Sequence, residues 1–87
     1  MKTLNINYQL ILNKLKLEAL RKSPDNDLLT GYQVLNNKKI KAKLDEETFV
    51  YITPRLESEL KIDIEVNWNQ STKKITNLKE DIQITFE

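Results

Sequence analysis

The stretch Leu60-Lys61-Ile62-Asp63-Ile64-Glu65-Val66-Asn67-Trp68 decides the fold class. Apolar and polar residues alternate along it without interruption, which is the pattern of a β-strand with one buried and one exposed face. A strand needs neighbouring strands to satisfy its backbone hydrogen bonds. The sequence therefore predicts a β-sheet, and the rest of the chain has to supply the other strands.

One such strand is predicted just before this stretch. Residues 48–53 are dense in β-branched and aromatic side chains and carry apolar groups on both faces. We expect Pro54 to end this strand, because proline cannot donate a backbone hydrogen bond to a neighbour. Residues 55–59 then favour a single helical turn.

Another strand is predicted at the end of the chain. Residues 69–81 read as a long polar connection, after which Ile82, Ile84 and Phe86 alternate with polar residues. We expect this last strand to pair antiparallel with 60–68.

A hairpin is predicted in the middle of the chain, with strands at 31–35 and 39–44 joined by Asn36-Asn37-Lys38. This loop length sets Val34 opposite Ile40, so that apolar side chains share one face. Asparagine tolerates the left-handed backbone conformation that turns require, and a chain with one glycine needs such a substitute.

The N-terminal segment fits two patterns. Residues 3–12 alternate as in a strand, whereas a second set of apolar residues has helical spacing: Tyr8, Ile11, Leu12, Leu15 and Ala19. We favour a strand at 2–7 and a helix at 8–22, because residues 9–22 are rich in strong helix formers. The helix ends there because the residue before Pro24 avoids helical angles. The alternative is one long strand with a bulge near Asn13.

These elements predict a single α+β domain over residues 1–87. It has a mainly antiparallel sheet of five or six short strands, with one N-terminal α-helix on one sheet face. If the first 22 residues form a bulged strand instead, the fold is all-β.

The composition argues against most catalytic chemistry. The chain has no histidine, no cysteine and one glycine, Gly31, so it lacks the usual ligands for transition metals and the side chain that titrates near neutral pH. We therefore expect no enzyme activity, no cofactor and no metal site. Asp63 and Glu65 form the one pair of carboxylates that acid–base chemistry would use, and Asp25-Asn26-Asp27 and 45–47 are interpreted as solvated turns.

The net charge and the amino-acid usage indicate which partners and which kind of organism to expect. The net charge is +1, which gives no field that would draw the protein to a membrane or to nucleic acid. Lysine, asparagine and isoleucine make up 30 of the 87 residues, and AT-rich codons encode all three. We expect a low-GC bacterium, or a phage or mobile element living in one. The lack of cysteine and of a signal-like segment favours the cytoplasm.

A strip of lysines is the candidate site for nucleic acid. Lys39, Lys41 and Lys43 share one strand face, and Lys38 lies beside them. Such a strip can contact phosphates, but no aromatic residue of the same strip is available to stack on bases. The alternatives are an edge strand that uses lysine to block unwanted pairing, or lysines paired with Asp63 and Glu65 across the sheet.

Surplus apolar surface is the strongest indication of function. In a helix over 8–22, Leu10 and Leu17 lie opposite the stripe that packs on the sheet, with Leu20 nearby. Tyr51 and Trp68 are large amphipathic rings of the kind that anchor interfaces. We predict an accessory or regulatory protein that binds another protein, such as a host enzyme or defence complex that it inhibits, or a second copy of itself as a homodimer. A small nucleic-acid-binding protein that uses the lysine strip is the alternative.

Overall fold

A computed structural model of the protein describes all 87 residues and confirms the α+β class. It contains two α-helices and six β-strands, all paired antiparallel. In chain order these are β1 (Lys2–Ile6), α1 (Tyr8–Lys22), α2 (Leu28–Leu35), β2 (Ile40–Asp45), β3 (Thr48–Leu56), β4 (Leu60–Trp68), β5 (Ser71–Ile75) and β6 (Ile82–Phe86). Neither helix has the length and apolarity needed to cross a membrane.

The strands form two separate sheets. One has four strands in the order β2-β3-β4-β5, and the other is a ribbon of β1 and β6. The prediction that the last strand pairs with 60–68 is therefore wrong, because β4 pairs with β3 and β5 while β6 pairs with β1. A two-residue turn after Trp68 lets β5 pair with β4 directly, and a short connection of this kind closes at little cost in chain entropy.

The polar sequence of β5, Ser-Thr-Lys-Lys-Ile, predicts a connection rather than a strand, and this prediction is wrong. Its first four residues are exposed, so it carries no alternation of buried and exposed side chains. Alternation arises where a sheet buries one of its faces, and the first four residues of β5 are open to solvent on both faces.

One face of the four-stranded sheet is buried, and we call it the inner face. Val50, Ile52 and Val66 on this face are completely buried, and α1 covers them with a stripe of Ile11, Leu15 and Ala19. The β1–β6 ribbon adds a group of buried residues to the same core: Ile6, Ile84 and Phe86. The opposite, outer face carries no helix.

The helix α1 has the predicted bounds, and the bulged-strand alternative is wrong. Asn7 caps its N-terminus, with its side-chain oxygen accepting a hydrogen bond from the backbone N–H of Leu10 at 3.1 Å. The helix ends at Ser23, whose extended backbone suits the position before Pro24.

The predicted hairpin between 31–35 and 39–44 is wrong, because Leu28–Leu35 forms the helix α2. Asp27 caps this helix by accepting hydrogen bonds from the backbone N–H of Leu29 and the hydroxyl of Thr30. Only the second predicted strand exists, as β2, and it pairs with β3.

The helix α2 packs against α1 at a point where the two backbones nearly touch. A Cβ atom on Gly31 would lie 2.2 Å from the carbonyl oxygen of Ala19, so only glycine fits there. The single glycine of the chain therefore serves close packing between helices. Its φ is not positive, so the helix does not depend on its freedom to adopt left-handed angles.

Two expectations near Pro54 are also wrong. The strand β3 continues through Pro54 to Leu56, and residues 55–59 do not form a helical turn. Pairing between β2 and β3 starts at Ile40 and Ile52, so no strand lies beside Pro54 on that side and its missing N–H leaves no ladder bond unmade. Its carbonyl accepts a hydrogen bond from the N–H of Asn37 at 2.8 Å.

Left-handed turn positions are filled by asparagine, as the sequence predicts. The non-glycine residues with positive φ are Asn26, Asn37, Asn69 and Asn77. Asparagine adopts this conformation more readily than other residues with a Cβ, so the chain makes its turns without glycine.

We expect Gly31→Ala to destabilise the protein by about 1–3 kcal/mol, because the new methyl group overlaps the backbone of Ala19 and forces the helices apart. Urea unfolding followed by circular dichroism measures this loss. The matched control is Gln33→Ala at an exposed position of the same helix. Equal unfolding midpoints for the two variants would contradict the close contact.

Candidate functional site

The five residues predicted to form an interface lie on three different surfaces. Leu10 and Leu17 are 66% and 62% exposed on α1, and Leu20 is half-buried on the same helix. Tyr51 lies on the outer face of the sheet, away from α1. Trp68 packs on the core, with its ring centroid 5.8 Å from that of Phe86. The structure therefore supports α1 as one candidate surface and does not join the two aromatic residues to it.

Leu10 and Leu17 are seven residues apart, so they lie on the same side of α1 at a separation of about 10.5 Å along its axis. Their exposure is high because the stripe of Ile11, Leu15 and Ala19 already fills the contact with the core. Nothing in the chain covers these two leucines.

An apolar groove runs between α1 and β2, and we call it the α1–β2 groove. It has a volume of about 280 Å³ and is lined mainly by Leu10, Lys14, Ala42, Leu44, Val50 and Ile52. Leu44 is the unpaired residue of a β-bulge, since Lys43 pairs with Phe49 and Asp45 with Thr48. The side chain of Leu44 is 38% exposed, so the groove continues the apolar surface of α1 onto the sheet.

The outer edge of β2 is uncovered. β2 ends the four-stranded sheet, and no backbone group of β2 takes part in any of the hydrogen bonds outside the regular elements. Its outward-facing N–H and C=O groups therefore have no partner in the chain. Lys41 and Lys43 are exposed on this strand, which fits the interpretation of a lysine-protected edge.

Two aromatic rings accompany the lysines on the outer face. The ammonium of Lys41 lies 4.3 Å from the ring centroid of Phe49, and that of Lys39 lies 5.9 Å from the ring centroid of Tyr51. The lysine strip itself contains no aromatic residue, as the sequence shows, but β3 supplies these rings from the adjacent strand. Lys38 lies in the turn after α2 and makes no ion pair.

Acidic residues neutralise part of this lysine surface. Glu65 lies 3.9 Å from Lys39 and 3.8 Å from Lys74, and Glu46 lies 3.2 Å from Lys43. The expected pairing across the sheet is thus confirmed for Glu65 with Lys39. Asp63 has a different partner.

Asp63 is held by Arg55. The guanidinium donates from Nε at 2.7 Å and from a terminal nitrogen at 3.2 Å, and the N–H of Asn77 donates to the same carboxylate at 3.0 Å. Arg55 also donates to Glu57 and to the side chain of Asn77. Burial raises the pKa of Asp63, but the hydrogen bonds from Arg55 and Asn77 outweigh it and hold this pKa below its usual value.

This arrangement fixes the connection after β5 to the sheet. Asp63 and Glu65 border a shallow depression of about 220 Å³ with Lys39, Thr53 and Lys74. Both oxygens of Asp63 accept hydrogen bonds from the protein itself, so this carboxylate has a structural role. No three acidic side chains come together in a way that could hold a metal ion.

The other acidic turns also have structural roles. Asp27 caps α2, as described above. The N–H of Glu47 and, secondarily, the ammonium of Lys2 lower the pKa of Asp45 to about 2, and Lys2 lies 3.0 Å from it. This ion pair connects the ribbon to the β2–β3 turn.

A scan against protein-family models, a search of curated proteins and a search of solved structures each found no match.

Two features of the site were missed in the sequence. Leu44 is the last residue of a predicted hairpin strand, and the regular alternation of residues 40–44 gives no sign of the bulge that leaves it unpaired. The sequence predicts Phe49 as an apolar residue of its strand, and only the pairing of β2 with β3 places it beside Lys41.

We expect the Asp63→Asn variant to lose less stability than the original protein when the pH is lowered into the acid range. The folded-state pKa of Asp63 is lowered, so its contribution is present above the unfolded pKa of about 3.9 and is lost as the pH falls through the folded value. At pH 7 the variant should lose about 0.5–1 kcal/mol, because the ion pair is partly exposed to solvent.

Thermal unfolding of both proteins from pH 7 to pH 2 checks this dependence. Asp25→Asn, which changes an exposed carboxylate that forms no ion pair, is the control and should follow the original protein. Parallel curves for Asp63→Asn and the original would contradict the role given to Arg55.

Proposed function

We propose that the protein is a non-catalytic binding module that acts by occupying the surface of another polypeptide. The observation that carries this proposal is the pair of exposed leucines on α1, Leu10 and Leu17, of which Leu10 lines the groove beside the uncovered edge of β2. The low-GC composition supports an accessory role in a bacterium or a phage, for example as an inhibitor of a host enzyme or defence complex.

The apolar surface is sufficient to anchor an interface. Leu10, Leu17 and Leu44 are all exposed, and the α1–β2 groove adds apolar lining around Leu10 and Leu44. Covering a leucine that is 60–70% exposed contributes about 1–2 kcal/mol. Monomeric proteins seldom leave a continuous apolar patch unused.

The available side chains favour binding over catalysis. The chain has no histidine or cysteine, and the carboxylate of Asp63 is fully engaged by Arg55 and Asn77. A stoichiometric mode of action needs only a complementary surface and no acid–base group.

Photo-crosslinking tests the proposal in the cells that make the protein. We expect p-benzoylphenylalanine at position 10 or 17 to give a discrete adduct with another polypeptide, and the same group at position 83 to give none. Gln83 lies on the exposed polar side of the ribbon, which makes it a matched surface position.

Leu17→Glu should abolish the adduct formed from position 10, because a charge placed in the apolar contact loses its solvation. Gln83→Glu, which adds the same charge elsewhere, should keep it. The proposal would be refuted if neither position 10 nor position 17 gives an adduct, or if the adduct from position 10 still forms in the Leu17→Glu variant.

Single-stranded nucleic acid is the second candidate, favoured by the rings of Phe49 and Tyr51 beside the lysines of the outer face. It predicts that labelled single-stranded DNA or RNA is retained at low salt. Lys41→Glu should lower the affinity and reduce the salt slope by about 0.7 for one lost phosphate contact. Lys79→Glu, at an exposed position in the connection before β6, should leave both unchanged. No retention at low salt would eliminate this candidate.

A further inference from the structure

We infer that the uncovered edge of β2 pairs with an extended segment of a partner protein in which acidic residues alternate with apolar ones. The segment adds a fifth strand to the four-stranded sheet beside β2. This inference rests on the proposed function and names the kind of partner that the α1–β2 surface fits.

The backbone of β2 supplies the first part of the recognition. In a strand, the N–H and C=O groups of alternate residues point to the same side. One set of β2 pairs with β3, and the other set points outward without a partner. The bulge at Leu44 interrupts the regular ladder, so an added strand pairs regularly along 40–43.

The α1–β2 groove supplies the second part. An added strand lies about 4.8 Å beyond β2, and its inner side chains point toward α1. There they meet Leu10, Ala42 and Leu44, the groove residues nearest the sheet edge. Because side chains alternate with period two, every second residue of the segment has to be apolar.

The lysines supply the third part. Lys41 and Lys43 project from the outer face of β2, about 4.5–5.5 Å from the residues that an added strand would place beside them. Opposite charges at this spacing attract and like charges repel. The remaining residues of the segment are therefore acidic.

The same charges argue against a second copy of this chain as the occupant. Antiparallel pairing of two β2 strands about a two-fold axis would set Lys41 and Lys43 of one copy beside those of the other, which is destabilising. The opposite edge of the sheet, β5, is a weaker candidate. Its first four residues are exposed and polar, and the depression beside it is lined mostly by polar residues.

A synthetic peptide of the sequence Glu-Leu-Glu-Val-Glu-Leu-Glu, labelled with fluorescein, is the probe. We expect fluorescence anisotropy to show saturable binding to the full chain. A peptide of the same composition in block order, with four glutamates followed by the apolar residues, should bind at least tenfold more weakly.

Backbone methylation separates strand pairing from simple apolar docking. One peptide carries N-methyl groups on its apolar residues and the other on its internal glutamates. Only one of these two sets of amides faces β2, so one methylated peptide should bind like the parent and the other should lose at least tenfold in affinity. Equal affinities for the two would overturn the inference.

Charge reversal tests the lysines. The double variant Lys41→Glu, Lys43→Glu should bind the parent peptide at least tenfold more weakly and should prefer a peptide with lysine in place of each glutamate. The matched control, Lys73→Glu with Lys74→Glu on β5, should retain the original preference. Unchanged binding in the β2 double variant would overturn the inference.

The two proposals fail in distinguishable ways. If no peptide binds at 1 mM while crosslinks form at positions 10 and 17, the fifth-strand inference is wrong and the binding function stands. If neither the peptides bind nor the crosslinks form, the binding function is wrong as well.

Discussion

The contact between Gly31 and the backbone of Ala19 is the constraint on which the rest of the structure depends. It lets α2 lie directly on α1, and it makes residues 28–35 part of the helical layer. A strand in that position would have become the neighbour of β2. Because the segment is helical instead, β2 has β3 on one side and solvent on the other.

The free edge and the apolar surface are two consequences of the same packing. The layer of α1 and α2 covers the inner face of the sheet as far as Ile40 of β2, but beyond this residue Ala42 remains half-buried and Leu44 exposed. Leu10 of α1 lines the space left over. With a net charge of only +1, long-range steering toward a partner is weak, so recognition has to come from backbone pairing, apolar contact and the lysines at short range.

Much of the fold could be predicted from local patterns. The period of β4 is unambiguous because this strand buries one face against the core, whereas the segment of α1 fits both a helical period and a strand alternation, and helix propensity favours the helix that the structure shows. The helix α2 and the strand β5 could not be predicted in this way. Eight residues are too few for a stable helix without the contact at Gly31, and the alternation of Tyr32 and Val34 imitates a strand. β5 buries almost nothing, so its sequence carries no period.

Local sequence patterns likewise predict only part of the candidate site. The exposure of Leu10 and Leu17 follows from a helix whose buried stripe lies on the other side, and the sequence predicts it. The separation of Tyr51 and Trp68 from those leucines depends on which sheet face each strand presents. The free edge, the bulge at Leu44 and the rings beside the lysines depend on strand order and register, which are set by contacts between distant parts of the chain.

Amide hydrogen exchange of the isolated protein tests most directly whether the edge of β2 is free. The amides of β2 that pair with β3 should be strongly protected, and the alternate amides should exchange at nearly the rate of an unfolded peptide, in a particle that light scattering shows to be a monomer. Uniform protection along 40–45 would show that the edge is already covered and would contradict the role given to it.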